Sequence, residues 1–290
     1  MDKMYNTKKS RFLIIYSLGI AVLNVLGSAN AGAITAKGSD TLVILAQKWA
    51  EVYMRKTPST TIQVTGGGSG TGFAALQNRT TDLCNASRPI KSKEVLACIK
   101  AFKAKPTEYR VCLDGLSVYV SEKNPVANLT MDQLKQVFTG KFDNWKQVGG
   151  PDKAIVLYSR ENSSGTYEFF KDHVLGGSDF AARAQTMPGT AAVVQAIARD
   201  PYGIGYGGAA YAEGIRALKI AKDSQSAPVE PTQENVANGS YPIWRYLYIY
   251  VNPALDNGEI AAYLKWILGD EGQELVKDVG YFPLPKNLRK

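Results

Sequence analysis

Apolar positions along this chain switch repeatedly between a period of about 3.6 and a period of two. Leu42, Ala46, Trp49, Ala50 and Tyr53 share one face of a helix over 41–57, which Pro58 ends. TIQVT (61–65) alternates and is β-branched, predicting a strand, and a short helical FAALQNR follows it after a glycine-rich stretch. DLCNAS (82–87) reads as a second strand and KSKEVLACIKAF as a helix. YRVCLDGLSVYVS (109–121) reads as a strand pair or one long bent strand. Thr130 and Gln133 form a capping box before LKQVF. AIVLYS (154–159) is a strand, TAAVVQAIARD a helix and YGIGYGGAAYA a glycine-laced strand and turn. WRYLYIYV (244–251) is a strongly β-forming strand, and GEIAAYLKWIL and EGQELVKDV are closing helices. Strands alternating with helices predict an α/β architecture.

The first residues follow a different pattern. Lys8, Lys9 and Arg11 precede an almost wholly apolar run from Phe12 to Leu26, and Ala29-Asn30-Ala31 supplies small residues for cleavage. This predicts a secretory signal peptide over 1–31. The apolar run is short of the roughly 20 residues that a membrane span needs.

Removing that segment changes the charge. The chain has 34 basic and 26 acidic residues; without Lys3, Lys8, Lys9, Arg11 and Asp2 the surplus is 30 against 25. A mild excess without a dense Lys/Arg block argues against nucleic acid and favours small anions. Cys84, Cys98 and Cys112 are widely spaced with no Cys-x-x-Cys pair, which disfavours zinc. An oxidising compartment would allow one disulfide and one free thiol, with the pairing open.

Four polar clusters fall where a strand gives way to a turn or helix: KGSDT (37–41), GGGSGTG (66–72), NASRP (85–89) and SRENSSGT (159–166). Backbone N–H groups converge at such points, the helix dipole favours negative charge, and glycine lets the backbone approach closely. The last cluster also has a plainer reading, with Ser163 or Ser164 as an N-cap and Arg160 solvated. Four clusters rich in Ser, Thr, Gly and Arg favour an oxyanion site.

The enzyme readings are weaker. Gly70-Thr71-Gly72-Phe73-Ala74-Ala75 fits a dinucleotide fingerprint, but an exported protein rarely meets that cofactor. His173 is the only histidine, too few for a metal phosphatase, and no G-x-S-x-G elbow accompanies it. The reading is a non-enzymatic protein without metal or cofactor.

GSDT, the glycine loop, NASRPI, GIGY and YPIWRYLYIYV together resemble the periplasmic phosphate-binding proteins of phosphate-specific ABC importers, from Gly38 to about Pro285. The resemblance implies a two-lobed type-two periplasmic binding protein, each lobe a mixed sheet flanked by helices, with the ligand in the interlobe cleft. Lobe one would be 33–117 plus 244–290 and lobe two 118–243. The family's ligand contacts carry over to Ser39, Asp40, Thr41 and the backbone of Leu42, to Ser69, to Ser87 and Arg88, and to Arg160, Ser164, Gly165 and Thr166. Arg160 would fork two phosphate oxygens. Partners would be inorganic phosphate and the permease subunits of an importer in the inner membrane, and the protein would be a periplasmic monomer. Another tetrahedral oxyanion such as sulfate is the rival ligand, and an exported hydrolase the rival class. The chain departs from the pattern at Arg88, where well-known members place a carboxylate that accepts the phosphate proton. Asp40 is the expected substitute, with a plain N-cap as its alternative role.

Overall fold

The computed structural model describes residues 33–289, so the expected signal segment lies outside the described residues. In chain order β1 is Ile34–Gly38, α1 Val43–Lys56, β2 Ile62–Thr65, α2 Ser69–Gln77, β3 Leu83–Ala86 and α3 Ser92–Phe102. Then come β4 Thr107–Gly115, β5 Ser117–Val120, β6 Asn128–Thr130, α4 Met131–Phe138, β7 Val156–Arg160 and α5 Gly165–His173. β8 Gln185–Met187, α6 Thr190–Arg199, β9 Gly203–Gly207, β10 Arg216–Ala217 and β11 Lys219–Ala221 follow. α7 Gln233–Ala237, β12 Trp244–Val251, α8 Gly258–Leu268 and α9 Asp270–Val279 complete the chain.

These strands build two mixed sheets, the basis of a two-lobed α/β fold. The first has the order β2-β1-β3-β12-β4 and the second β10-β5-β9-β7-β8, while β11 and β6 pair separately. In the first sheet β1 is parallel to β2 and β3, and β12 is antiparallel to β3 and β4. In the second, β7 is parallel to β8 and β9, and β5 is antiparallel to β9 and β10. The 109–121 segment is a strand pair: β4 ends at Gly115 in one sheet and β5 begins at Ser117 in the other. The chain returns at Trp244, which pairs with Gly115. Both passages between the sheets therefore lie side by side.

The periodicity accounts for the packing. Leu42, Ala46, Trp49, Ala50 and Tyr53 are all buried, and the Trp49 indole N–H donates to the Gly272 carbonyl at 2.7 Å, which ties α1 to α9. The capping box at α4 forms in both directions: Gln133 N–H donates to Thr130 Oγ1 at 3.1 Å and Thr130 N–H to Gln133 Oε1 at 2.8 Å. The disulfide that an oxidising compartment would allow is absent: Cys84, Cys98 and Cys112 are buried free thiols, each on a separate element of the apolar interior. Burial pushes all three thiols up, which keeps them protonated.

Candidate oxyanion site

The four polar clusters converge where the two sheets face each other. β1 ends in a 3₁₀ turn carrying Thr41, α2 opens on Ser69, β3 delivers Ser87, and α5 begins at Gly165. Their hydroxyls form a chain. Thr41 Oγ1 lies 2.7 Å from Thr166 Oγ1, Thr166 Oγ1 3.4 Å from Ser87 Oγ, and Ser87 Oγ 3.2 Å from Ser69 Oγ. Ser69 Oγ also accepts the Ser87 N–H at 3.0 Å. None of the four residues is more than 1% exposed. A hydroxyl rotates to whichever acceptor is offered, so bonds between hydroxyls exchange readily for bonds to an anion.

The start of α5 supplies the rest of the cage. Ser164 is its N-cap, its Oγ accepting the Tyr167 N–H at 3.2 Å, so the plain capping role holds for that side chain. The N–H groups of Gly165 and Thr166 precede the first intrahelical bond and point out of the helix end. A Cβ at Gly165 would stand 2.3 Å from Ser69 Oγ and 2.8 Å from Ser87 Oγ. Only glycine lets the helix start come down onto these hydroxyls. The glycine loop closes the same face: Gly70 N–H donates to the Ser163 carbonyl at 2.9 Å. That bond binds Gly70 to the opposite lobe, in place of the nucleotide-loop role that its motif suggested.

Two expected contacts, the Leu42 N–H and Arg160, are occupied otherwise, and a third, Ser39, makes no side-chain bond among the described residues. The Leu42 N–H donates to the Ser39 carbonyl at 3.1 Å. Ser39 Oγ is buried without a partner among the described residues. Arg160 is 2% exposed and holds Thr190 Oγ1 at 2.9 Å, Asp40 Oδ2 at 2.7 Å and Glu161 Oε2 at 3.0 Å. One Nη1 hydrogen is left over, so in this conformation the guanidinium does not offer the expected two-pronged fork. Burial pushes the Glu161 carboxyl up, but the hydrogen bond and charge of Arg160 outweigh it, and the net direction is down.

Arg88 turns from the hydroxyls to two carboxylates. Its Nη1 and Nη2 bond Glu94 Oε2 and Oε1, each at 2.8 Å, its Nε faces Glu168 of α5, and its guanidinium covers the Phe73 ring at 4.7 Å. Lys91 Nζ joins Glu168 at 2.7 Å. Glu168 thus links the start of α5 to the segment after β3.

Residues that sequence reasoning left out surround the cage. Arg245 and Asp114 form a buried ion pair beside Ser87 and Thr166. Tyr211 Oη donates to the Asp40 carbonyl and Tyr281 Oη to the Thr41 carbonyl, both at 2.6 Å. A charged residue inside an apolar strand was the available signal for Asp114 and Arg245; the tyrosines carried none. His173 bonds the Pro242 carbonyl at 2.7 Å and stacks on Phe169, with no hydroxyl partner. Among the described residues no group of three or more His, Cys, Asp or Glu side chains could hold a metal.

Two lobes meeting over a buried cage of hydroxyls and helix-start N–H groups define a solute-binding protein of the type-two class. Residues 25–271 match the PBP superfamily domain. The chain is 37% identical over 275 residues to the phosphate-binding protein PstS of Pseudomonas aeruginosa, covering 89% of this chain and 85% of that one. It is 33% identical over 264 residues to PstS of Staphylococcus saprophyticus, with coverage of 88% and 81%. Among solved structures, a candidate phosphate ABC-transporter substrate-binding protein from Clostridium perfringens with bound phosphate superposes with a TM-score of 0.80 at 27% identity, covering 88% of this chain and all of that one. An ABC-type phosphate transport receptor from Vibrio cholerae gives 0.68 at 27% identity, covering 87% of this chain and 100% of the other. The chain belongs to the PstS family of phosphate-binding proteins within the PBP superfamily.

Proposed function

We propose that this protein is a periplasmic, monomeric receptor that holds inorganic phosphate between its lobes and delivers it to the permease subunits of a phosphate ABC importer. The lobes are taken as 33–117 plus 244–290 and 118–243, after removal of a signal peptide over 1–31. The observation that carries this reading is the buried chain Thr41–Thr166–Ser87–Ser69, which joins hydroxyls of both sheets at the start of α5. Each nearby cation already has a carboxylate partner: Arg160 has Asp40 and Glu161, Arg245 has Asp114, and Arg88 has Glu94 and Glu168. The anion is therefore held by dipoles, the hydroxyls and the first N–H groups of α5, more than by net charge.

The reading is non-enzymatic, because the cage offers donors and no activated nucleophile; His173 is engaged elsewhere. The names of the relatives favour phosphate over sulfate and over hydrolysis. Calorimetric titration of the mature chain with inorganic phosphate, sulfate and a phosphomonoester tests this. Tight phosphate binding without ester turnover is expected; sulfate binding as tight as phosphate, or turnover of the ester, overturns it.

A further inference from the structure

The strand motif YPIWRYLYIYV sets one cation in an apolar strand, and the phosphate reading gives that cation no task. Arg245 is the second residue of β12 and is 4% exposed. Its register partner on β4 is Asp114, so the two lie opposite each other where the chain passes between the lobes. Arg245 Nε and Nη2 donate to Asp114 Oδ2 at 3.0 and 2.9 Å, and Asp114 Oδ1 accepts the Ala209 N–H at 3.1 Å. The remaining reach of the guanidinium is toward the cage. Nη1 donates to the Ser87 carbonyl at 2.8 Å and Nη2 to Thr166 Oγ1 at 3.0 Å, while the Phe169 ring lies 5.1 Å from Cζ.

We propose that Arg245, anchored by Asp114, is a positioning residue for the oxyanion cage that turns Thr166 into a dedicated donor. The inference rests on the phosphate reading and deepens it. A guanidinium only donates, so Thr166 Oγ1 must accept from it and send its own proton elsewhere. The directions left are Thr41 Oγ1 at 2.7 Å, Ser87 Oγ at 3.4 Å and a bound anion. The bond to the Ser87 carbonyl fixes the turn that presents Ser87 Oγ. One side chain at the crossover thus sets one hydroxyl from each lobe. An ion pair with a purely structural task is replaceable by apolar side chains of similar volume without loss of stability. This pair also spends two donors on the cage, so the same replacement removes the orientation of the hydroxyls.

The test uses the mature chain, inorganic phosphate, calorimetry and thermal unfolding. In Arg245→Met/Asp114→Leu the unfolding midpoint stays near that of the wild type and phosphate affinity falls about tenfold or more, the worth of a charge-assisted hydrogen bond. Arg245→Lys keeps the charge but cannot reach Asp114, Ser87 and Thr166 together, and it loses affinity on the same scale. Its loss is also non-additive with that of Thr166→Val, because both break the same bond. If the double variant folds and binds phosphate like the wild type, the pair is structural and the inference is wrong. Should the double variant not fold, wild-type affinity in Arg245→Lys, or additive losses with Thr166→Val, overturns it equally. A wild-type chain that binds no phosphate overturns the functional reading itself, an outcome distinct from any variant result.

Discussion

Asp40 Oδ2 lies 2.7 Å from Arg160 Nη2, and the two residues come from opposite sheets. The other carboxylate oxygen accepts the Gly67 N–H at 2.8 Å. Both oxygens are committed, one to the glycine loop and one to the facing lobe. We expect Asp40 to act as a brace that orients Arg160, rather than as the acceptor of the phosphate proton. Asp40→Asn keeps an oxygen for Gly67 and removes the charge from Arg160. The variant should weaken phosphate and sulfate by similar factors, about tenfold, since one charge-assisted bond of roughly 1.5–3 kcal/mol is lost. Parallel titrations with the two anions check this. A selective gain in sulfate affinity would restore the proton-acceptor role to Asp40.

Gly165→Ala tests the contact between α5 and the hydroxyls. The added methyl would stand 2.3 Å from Ser69 Oγ, closer than any side chain tolerates. The clash is with Ser69 and Ser87, outside α5, so a chain that parts these elements without ligand escapes it, whereas alanine favours a helix by about 1 kcal/mol over glycine. Phosphate affinity should fall by more than tenfold while the unfolding midpoint without ligand stays level or rises. Small-angle scattering at saturating phosphate should report a larger radius of gyration than for the wild type. Equal affinity and equal size would mean that α5 does not seat on Ser69.

What was legible in the sequence follows from which interactions are local. The α1 face, the Thr130–Gln133 box and the whole of β12 are set by neighbours a few residues apart, and periodicity reads them directly. The hydroxyl cage was legible as four clusters, because glycine and hydroxyl residues mark strand-to-helix turns wherever they occur. Arg245 and Asp114 were not assigned, since 131 residues separate them and only the β4–β12 register brings them together. Arg88 was placed in the cage by motif position alone. Its side chain is drawn off by Glu94, six residues on, and by Glu168 of the other lobe, and the second of these is a tertiary fact.

Arg160→Lys separates charge from geometry. The guanidinium serves Thr190, Asp40 and Glu161 in three directions at once, and a lysine ammonium on its narrower stem cannot reach all of them. The lobes should then close less firmly and phosphate affinity should drop about tenfold or more. Raised salt should widen the gap between variant and wild type, because a partly exposed replacement pair is screened more than a buried one. An unchanged dissociation constant at low and high salt would remove Arg160 from both the site and the closure.

Two of the carboxylates that hold the arginines, Glu94 and Glu161, give the fold an acid limit. Burial pushes the Glu94 carboxyl up, but the hydrogen bond from Arg88, the Lys91 N–H and the charge of Arg88 outweigh it, so the folded state holds this group below the ordinary range of about 4.3. A group depressed on folding binds fewer protons in the folded chain than in the unfolded one. Its contribution is present above the ordinary carboxylate value and is lost as pH falls through the lower folded value. Glu161, held down by Arg160, acts in the same direction. The unfolding midpoint should therefore decline as pH is lowered below the ordinary carboxylate range. In Glu94→Gln the neutral-pH midpoint should be lower, because Arg88 loses its two-oxygen partner, and the decline with acid should be shallower, because one titrating group is gone. Thermal melts of both proteins from neutral pH to about 3 supply the comparison. Parallel curves offset by a constant would show that Glu94 contributes shape alone, and that Arg88 is held by Glu168 without it.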